Sequence, residues 1–296
     1  MKRIRLLALT TSLGAMLALP ASSSATVTIG SSLSGGPNLG SGCLGSLCTR
    51  VQVSLPADRT APGGTTSPVN GTVIRWRVRT DAGDPQQPIA LRVVSPAASG
   101  QFTGGAISST VTPLQITGIS TFPASLPIKV GDYLGLNYNN STNWYFRLGG
   151  GSDSGWLFNP ALAQGSTRSP QQDTTEELLV NADVEPTATL SNVKKKAKKA
   201  GKVRLTLDAP NPGTLVAGDK KDKGVVAVTA AKKPTLVKSQ RLQVSAAGPV
   251  SVLLKPTKAA KSALAAGRKP KAKLKLVFTP NGGSAFTQLL QVKLKR

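Results

Sequence analysis

Residues 72–80 read Thr72-Val73-Ile74-Arg75-Trp76-Arg77-Val78-Arg79-Thr80, with apolar and cationic side chains alternating from Ile74 onward. A period of two puts Ile74, Trp76 and Val78 on one side of an extended chain and Arg75, Arg77 and Arg79 on the other. That is a strand with one face buried and one wet. Outward from it, residues 51–55, 89–94, 114–119, 133–138, 144–148 and 178–182 also read as strands. Turn residues separate them, as in Asp81-Ala82-Gly83-Asp84-Pro85 and Lys129-Val130-Gly131-Asp132. Many short strands with polar turns and no long helical period predict an antiparallel, jelly-roll-like β-sandwich over residues 51–186. The Gly/Ser-rich residues 26–50 read as a loose lead-in.

The same alternation returns later. Val203, Leu205 and Leu207 interleave with Lys202, Arg204 and Thr206. Ala272, Leu274 and Leu276 interleave with Lys271, Lys273 and Lys275, and Leu290, Val292 and Leu294 with Gln291, Lys293 and Lys295. Residues 225–229, 242–245 and 250–254 add strands. Residues 258–266 read as one short helix stopped by Gly267, and Asn281-Gly282-Gly283 as the last hairpin turn. This pattern predicts an immunoglobulin-like β-sandwich over residues 187–296. The chain is therefore expected to be all-β.

Charge divides the chain at the same place. It has 296 residues and a formal net charge of +24. Residues 26–190 hold 9 Lys+Arg against 10 Asp+Glu, whereas residues 191–296 hold 25 against 3. The boundary follows Val184-Glu185-Pro186 and meets the run Lys194-Lys195-Lys196-Ala197-Lys198-Lys199.

Residues 1–25 have the form of an export signal. Lys2, Arg3 and Arg5 precede an apolar run over residues 6–19, then Pro20 and small residues to Ala25. The run is too short to span a bilayer. Cleavage after Ala25 would leave a secreted chain with no transmembrane segment. Cys43 and Cys48 are the only cysteines. Outside the reducing cytosol, two neighbouring thiols are expected to pair as a disulfide. A zinc site would need two more soft ligands, and the chain contains no histidine. That absence also removes the Ser-His-Asp triad and the Cys-His dyad, so no metal and no cofactor is expected.

The runs KKKAKKAGKVRLTLDAPNPGTLVAG, GPVSVLLKPT and SALAAGRKPKAKLKLVFTPNGG resemble lysine-rich Ig/fibronectin-type-III-like modules of exported proteins from high-GC Gram-positive bacteria. The first half, with NGTVIRWRVRT and FPASLPIKVGDYLGLNY, resembles an uncharacterised β-sandwich that often precedes such modules. The resemblance implies a secreted or surface-associated architecture. It carries no catalytic residue.

Three groups of residues are candidates for function. Seven of the twelve aromatic residues fall between Tyr133 and Phe158, with Asn137, Asn139, Asn140 and Asn143 among them. Flat rings beside amides suit a sugar, which makes Tyr138, Trp144, Tyr145 and Trp156 a glycan or partner platform. On that reading Trp144 and Phe146 point inward and Tyr145 outward; the alternative is that the rings simply fill a core. The row Arg75, Arg77, Arg79 suits phosphate or carboxylate, or else a solvated face paired with acids across the sheet. Lys194, Lys195, Lys196, Lys198, Lys199, Lys202, Lys271, Lys273 and Lys275 present cations to an anionic envelope polymer or polysaccharide. The alternative is that these lysines only keep the chain soluble.

Phe278 and Phe286 are the only rings of the second half, so single-strand nucleic-acid recognition is not expected, and the polyanion attraction is not expected to be sequence-specific for nucleic acid. Asp153-Ser154-Gly155 and Ser191-Asn192-Val193-Lys194, the latter in an exposed linker, echo serine nucleophile motifs without their partners. The expectation is a secreted, non-enzymatic binding protein. The alternatives are a glycan-active hydrolase using two carboxylates and a purely structural extracellular spacer.

Overall fold

The computed structural model describes residues 26–41, 43, 46–83, 87–139, 143–149, 153–220 and 234–296, without the side chains of Ser41, Asn143 and Trp144. The export signal expected at residues 1–25 and the strand expected at 225–229 lie outside the described residues. The described chain is all-β with antiparallel ladders and one α-helix.

The first half contains β1 (Val27–Gly30), β2 (Leu39–Ser41), β3 (Cys48–Ser54), β4 (Gly71–Thr80), β5 (Ile89–Pro96), β6 (Phe102–Ile107) and β7 (Gly118–Ile128). It continues with β8 (Tyr133–Tyr138), β9 (Asn143–Leu148), β10 (Ser154–Phe158), β11 (Thr167–Arg168), β12 (Gln172–Thr174), β13 (Glu176–Leu178) and β14 (Val180–Pro186). One sheet runs β1-β14-β4-β7, a second β11-β6-β5-β8-β3-β10-β12, and a third β13-β9-β2.

Trp76 and Val78 of β4, Leu126 of β7, Leu91 and Val93 of β5 and Leu136 of β8 belong to one buried cluster. The first two sheets thus bury a face each in the same core. Val94, one residue beyond Val93, points to the opposite face of its sheet, where it joins Phe102, Phe158 and Leu162 in a second, smaller cluster.

β4 departs from strict alternation at one residue. Its register against β14 shifts between Val73 and Arg75, where Ile74 is the extra residue of a bulge; at the same point the ladder with β7 carries its extra residue on β7. Val73 takes the buried place expected of Ile74. A bulge opposes two residues to one and resets the phase behind it.

β7 meets the strand expected at residues 114–119 only at its first two residues. Residues 114–117 are irregular and the strand begins at Gly118, running through Pro123 and Pro127. The prolines argue for a turn when read locally. β7 is the edge of its sheet, the place in a sheet where proline is tolerated. The stretch 26–50, expected as a loose lead-in, carries β1, β2 and the start of β3. β1 pairs with β14 over its whole length, and Ile29, Ser31 and Leu33 are buried. Cys43 and Cys48 form a disulfide with Cα atoms 5.7 Å apart.

The second half contains β15 (Ser191–Ala197), β16 (Val203–Ala209), β17 (Gly213–Asp219), β18 (Gln240–Val244), β19 (Gly248–Leu254), α1 (Lys258–Ala265), β20 (Lys271–Pro280) and β21 (Phe286–Lys293). They form sheets β15-β16-β19 and β18-β17-β20-β21, which share a separate buried cluster including Leu205, Leu215, Leu274, Phe278 and Leu294. The run Ser191–Ala197, expected as an exposed linker, is the edge strand β15. Lysine on an edge discourages pairing with other chains. Lys195 stands opposite buried Leu205, on the core-facing side, yet is exposed.

Asn211, fully buried, ties residues of the two halves together. It accepts from the Asn70 amide at 2.7 Å and donates to the carbonyls of Asn70 at 2.9 Å and Thr187 at 2.7 Å.

Candidate functional site

The arginine row of β4 is occupied within the molecule. Arg75 lies opposite Asp183 of β14, and both Arg75 and Arg77 bind its carboxylate, Arg77 at 2.7 and 3.0 Å. Thr28 donates to the same carboxylate at 2.8 Å, and Arg79 donates to the Leu33 carbonyl at 2.8 Å. Burial pushes the Asp183 carboxyl up, but hydrogen bonds from Arg77, Arg75 and Thr28, with the charge of Arg77, outweigh it and hold the pKa at about 2.

A carboxyl depressed in the folded state stabilises above its unfolded value near pH 4, and loses that contribution as pH falls through about 2. We therefore expect the protein to lose about 2 kcal/mol between pH 4 and pH 2 that Asp183→Asn does not lose. Denaturant midpoints of both proteins across that window check this. Parallel acid slopes would refute it.

The buried carboxylates of the first half are held in the same way. Glu177 is fully buried and accepts from Ser31 Oγ at 2.6 Å, Arg147 Nε at 2.8 Å and Arg59 Nη1 at 3.4 Å. Arg59 Nη2 also meets Asp153 at 2.6 Å, and Arg50 meets Glu176 at 3.0 Å. Each of these carboxylates is engaged by a guanidinium within the fold.

The aromatic platform does not assemble as read from sequence. Tyr138 and Tyr145 are both 0 % exposed, so neither ring can stack on a sugar. Tyr145, expected to point outward, is buried beside Phe146, and its hydroxyl donates to the Gln87 carbonyl at 3.1 Å. Asn137 is buried too, accepting from Thr49 at 2.7 Å. The Trp144 side chain and Asn140 lie outside the described residues. Trp156 is half-buried, 4.0 Å from the Phe102 ring centroid and 5.4 Å from that of Tyr133. It packs against the smaller core, apart from the two tyrosines.

The cations of the second half are placed differently. In the sheet β15-β16-β19, Lys194 pairs with Thr206 and Lys196 stands directly opposite Arg204. In the other sheet, Lys271 stands directly opposite Lys293, Lys273 opposite Gln291 and Lys275 opposite Leu289. Alternation puts these side chains away from Leu205, Leu274 and Leu276, and all are exposed except half-buried Lys275. Among the described residues no lysine of this half takes part in an ion pair; the salt bridges present join arginines to acids of the first half.

The nine lysines singled out by sequence thus fall into three places. Lys194, Lys195 and Lys196 lie on the edge strand of one sheet, and Lys271, Lys273 and Lys275 on β20 of the other. Lys198, Lys199 and Lys202 sit in the turn between β15 and β16. That turn is drawn to the chain end, where the Gly201 amide donates to the Lys295 carbonyl at 2.8 Å.

A groove of about 490 Å³ opens beside it, lined by Arg268, Lys269, Lys293, Lys295 and Arg296 around Leu264, Gly267 and Leu294. Sequence reading did not single these cations out as a site. Alternation marked Lys293 and Lys295 as outward-facing, but strand register alone brings them to the end of α1. No known family model and no curated protein matches the chain.

Proposed function

We propose that this is an exported, non-enzymatic binding protein whose basic second half attaches it to an anionic polymer of a cell envelope. We read the first half as a jelly-roll-like sandwich and the second as an immunoglobulin-like one. The observation that carries the reading is the placing of like charges face to face on strands of both sheets, Lys196 against Arg204 and Lys271 against Lys293. Like charges directly opposite destabilise a sheet by tenths of a kcal/mol each. A row kept in spite of that, with no acid paired to it among the described residues, suits a ligand that brings its own negative charge. Solubility alone asks for a net charge of only about 2–8 on a small domain.

The export signal over residues 1–25 and the Cys43–Cys48 disulfide both fit an oxidising compartment. The first half supports a scaffold or partner-binding role better than a sugar platform, because two of the four candidate rings are buried.

Sedimentation of the protein with a poly(glycerol phosphate) suspension at rising salt tests the reading. With about 6–10 phosphate contacts, affinity should fall about 10³–10⁵-fold between 50 and 200 mM salt. Lys194→Glu/Lys196→Glu and Lys271→Glu/Lys273→Glu, at exposed positions, should each weaken binding and flatten the salt slope while leaving the fold intact. No co-sedimentation even at the lowest salt would leave the chain as a spacer whose lysines only solubilise it.

A further inference from the structure

The lysines of the two sheets are point charges spread over open strands; the groove at the end of α1 is built differently. Residues 191–296 contain four arginines, Arg204, Arg241, Arg268 and Arg296, and two of the four line this groove. Guanidinium offers a planar fork that matches the oxygens of a phosphate, where ammonium offers only a point charge.

The walls are held by backbone bonds. Gly267, at φ 75°, donates to the Leu264 carbonyl at 3.1 Å and Arg268 to the Ala263 carbonyl at 3.0 Å. This is the paired closure that ends a helix at glycine, and it fixes the backbone from which Arg268 projects. On the other side, the Leu294 amide donates to the Pro270 carbonyl at 2.9 Å, and the Lys295 carbonyl accepts from Gly201 at 2.8 Å. Among the described residues, no Asp or Glu lines the groove. Cations are favoured at a helix C-terminus in any protein, but that accounts for Arg268 and Lys269 and not for the convergence of Lys293, Lys295 and Arg296 from another element. The volume falls in the range of about 300–1,000 Å³ typical of small-molecule pockets, and the aliphatic stems of lysine and arginine line it as readily as their charged heads.

We propose that this groove seats one phosphodiester unit of the anionic polymer, its phosphate in the forks of Arg268 and Arg296 and its polyol stem against Leu264 and the lysine stems. The inference rests on the polyanion reading and adds a defined contact to a diffuse attraction.

The test titrates the protein, by calorimetry in low salt, with a synthetic glycerol-phosphate trimer, with inorganic phosphate and with phosphatidylglycerol vesicles. Arg268→Lys/Arg296→Lys keeps every charge and removes both forks. The expected result is trimer binding that exceeds inorganic phosphate and falls about tenfold in the double variant, while polymer sedimentation keeps its salt slope.

Equal trimer affinity in the variant, or no trimer binding with polymer sedimentation intact, overturns the groove and leaves the lysine surface standing. Inorganic phosphate binding as well as the trimer, or vesicles alone binding, assigns the cations to free phosphate or to a lipid headgroup and overturns the polymer seat. Loss of both trimer binding and sedimentation overturns the groove and the surface together.

Discussion

Glu177→Ala is expected to lower the unfolding free energy by about 3–5 kcal/mol, a large share of the stability of a domain this size. Glu177 is fully buried, and its carboxylate is shared by Arg59, Arg147 and Ser31. Its removal leaves two guanidiniums, with side chains 13 % and 18 % exposed, facing a protein interior without their counter-charge. Asp153 still holds Arg59, at 2.6 Å, so Arg147 bears the larger part of the cost. The neighbouring Glu176 pairs with Arg50 but is 22 % exposed, and water can take over much of its role. Glu176→Ala should therefore cost clearly less. Urea unfolding of the two variants decides the matter: equal losses would mean that the Glu177 network contributes no more than an ordinary half-exposed pair.

Tyr145→Ala is expected to cost about 3–5 kcal/mol and Tyr145→Phe about 1 kcal/mol. The ring is fully buried in the main core, while the hydroxyl reaches the Gln87 carbonyl and accepts from the Gln87 amide at 3.3 Å. Burial also pushes the phenol up to about 12, so it stays a donor across the working pH range. A sugar-stacking tyrosine would behave in the opposite way, since an exposed ring can be truncated with little effect on the fold. Denaturant midpoints for the two variants separate these roles. A neutral Tyr145→Ala would restore the ring to the surface and reopen the glycan reading.

The misplacing of Tyr145 shows where local reading fails. Alternation along residues 144–148 assumes one core face and one solvent face. In this fold β9 lies in a small sheet against the larger layers, and Tyr145 and Phe146 are buried in succession. Residues 89–94 are buried on both faces for a related reason, with the main core on one side and the smaller cluster on the other. The bulge at Ile74 and the prolines of β7 are likewise invisible to a periodicity count, because both depend on what lies beside the strand.

Chemistry that depends on which residues exist was legible from the start. Absence of histidine, the pairing of two lone cysteines, the strand pattern of both halves and the division of charge near residue 186 follow from composition and order. Those properties are local or additive along the chain. Tertiary structure alone decided that Arg75 and Arg77 are spent on Asp183, that Tyr138 and Tyr145 are core, and that Lys271 faces Lys293. It alone brought Arg268 and Arg296 around one groove. Contacts of that kind are set by strand register and by the closing of a helix end against a distant strand, and neither is written in the spacing of neighbouring residues.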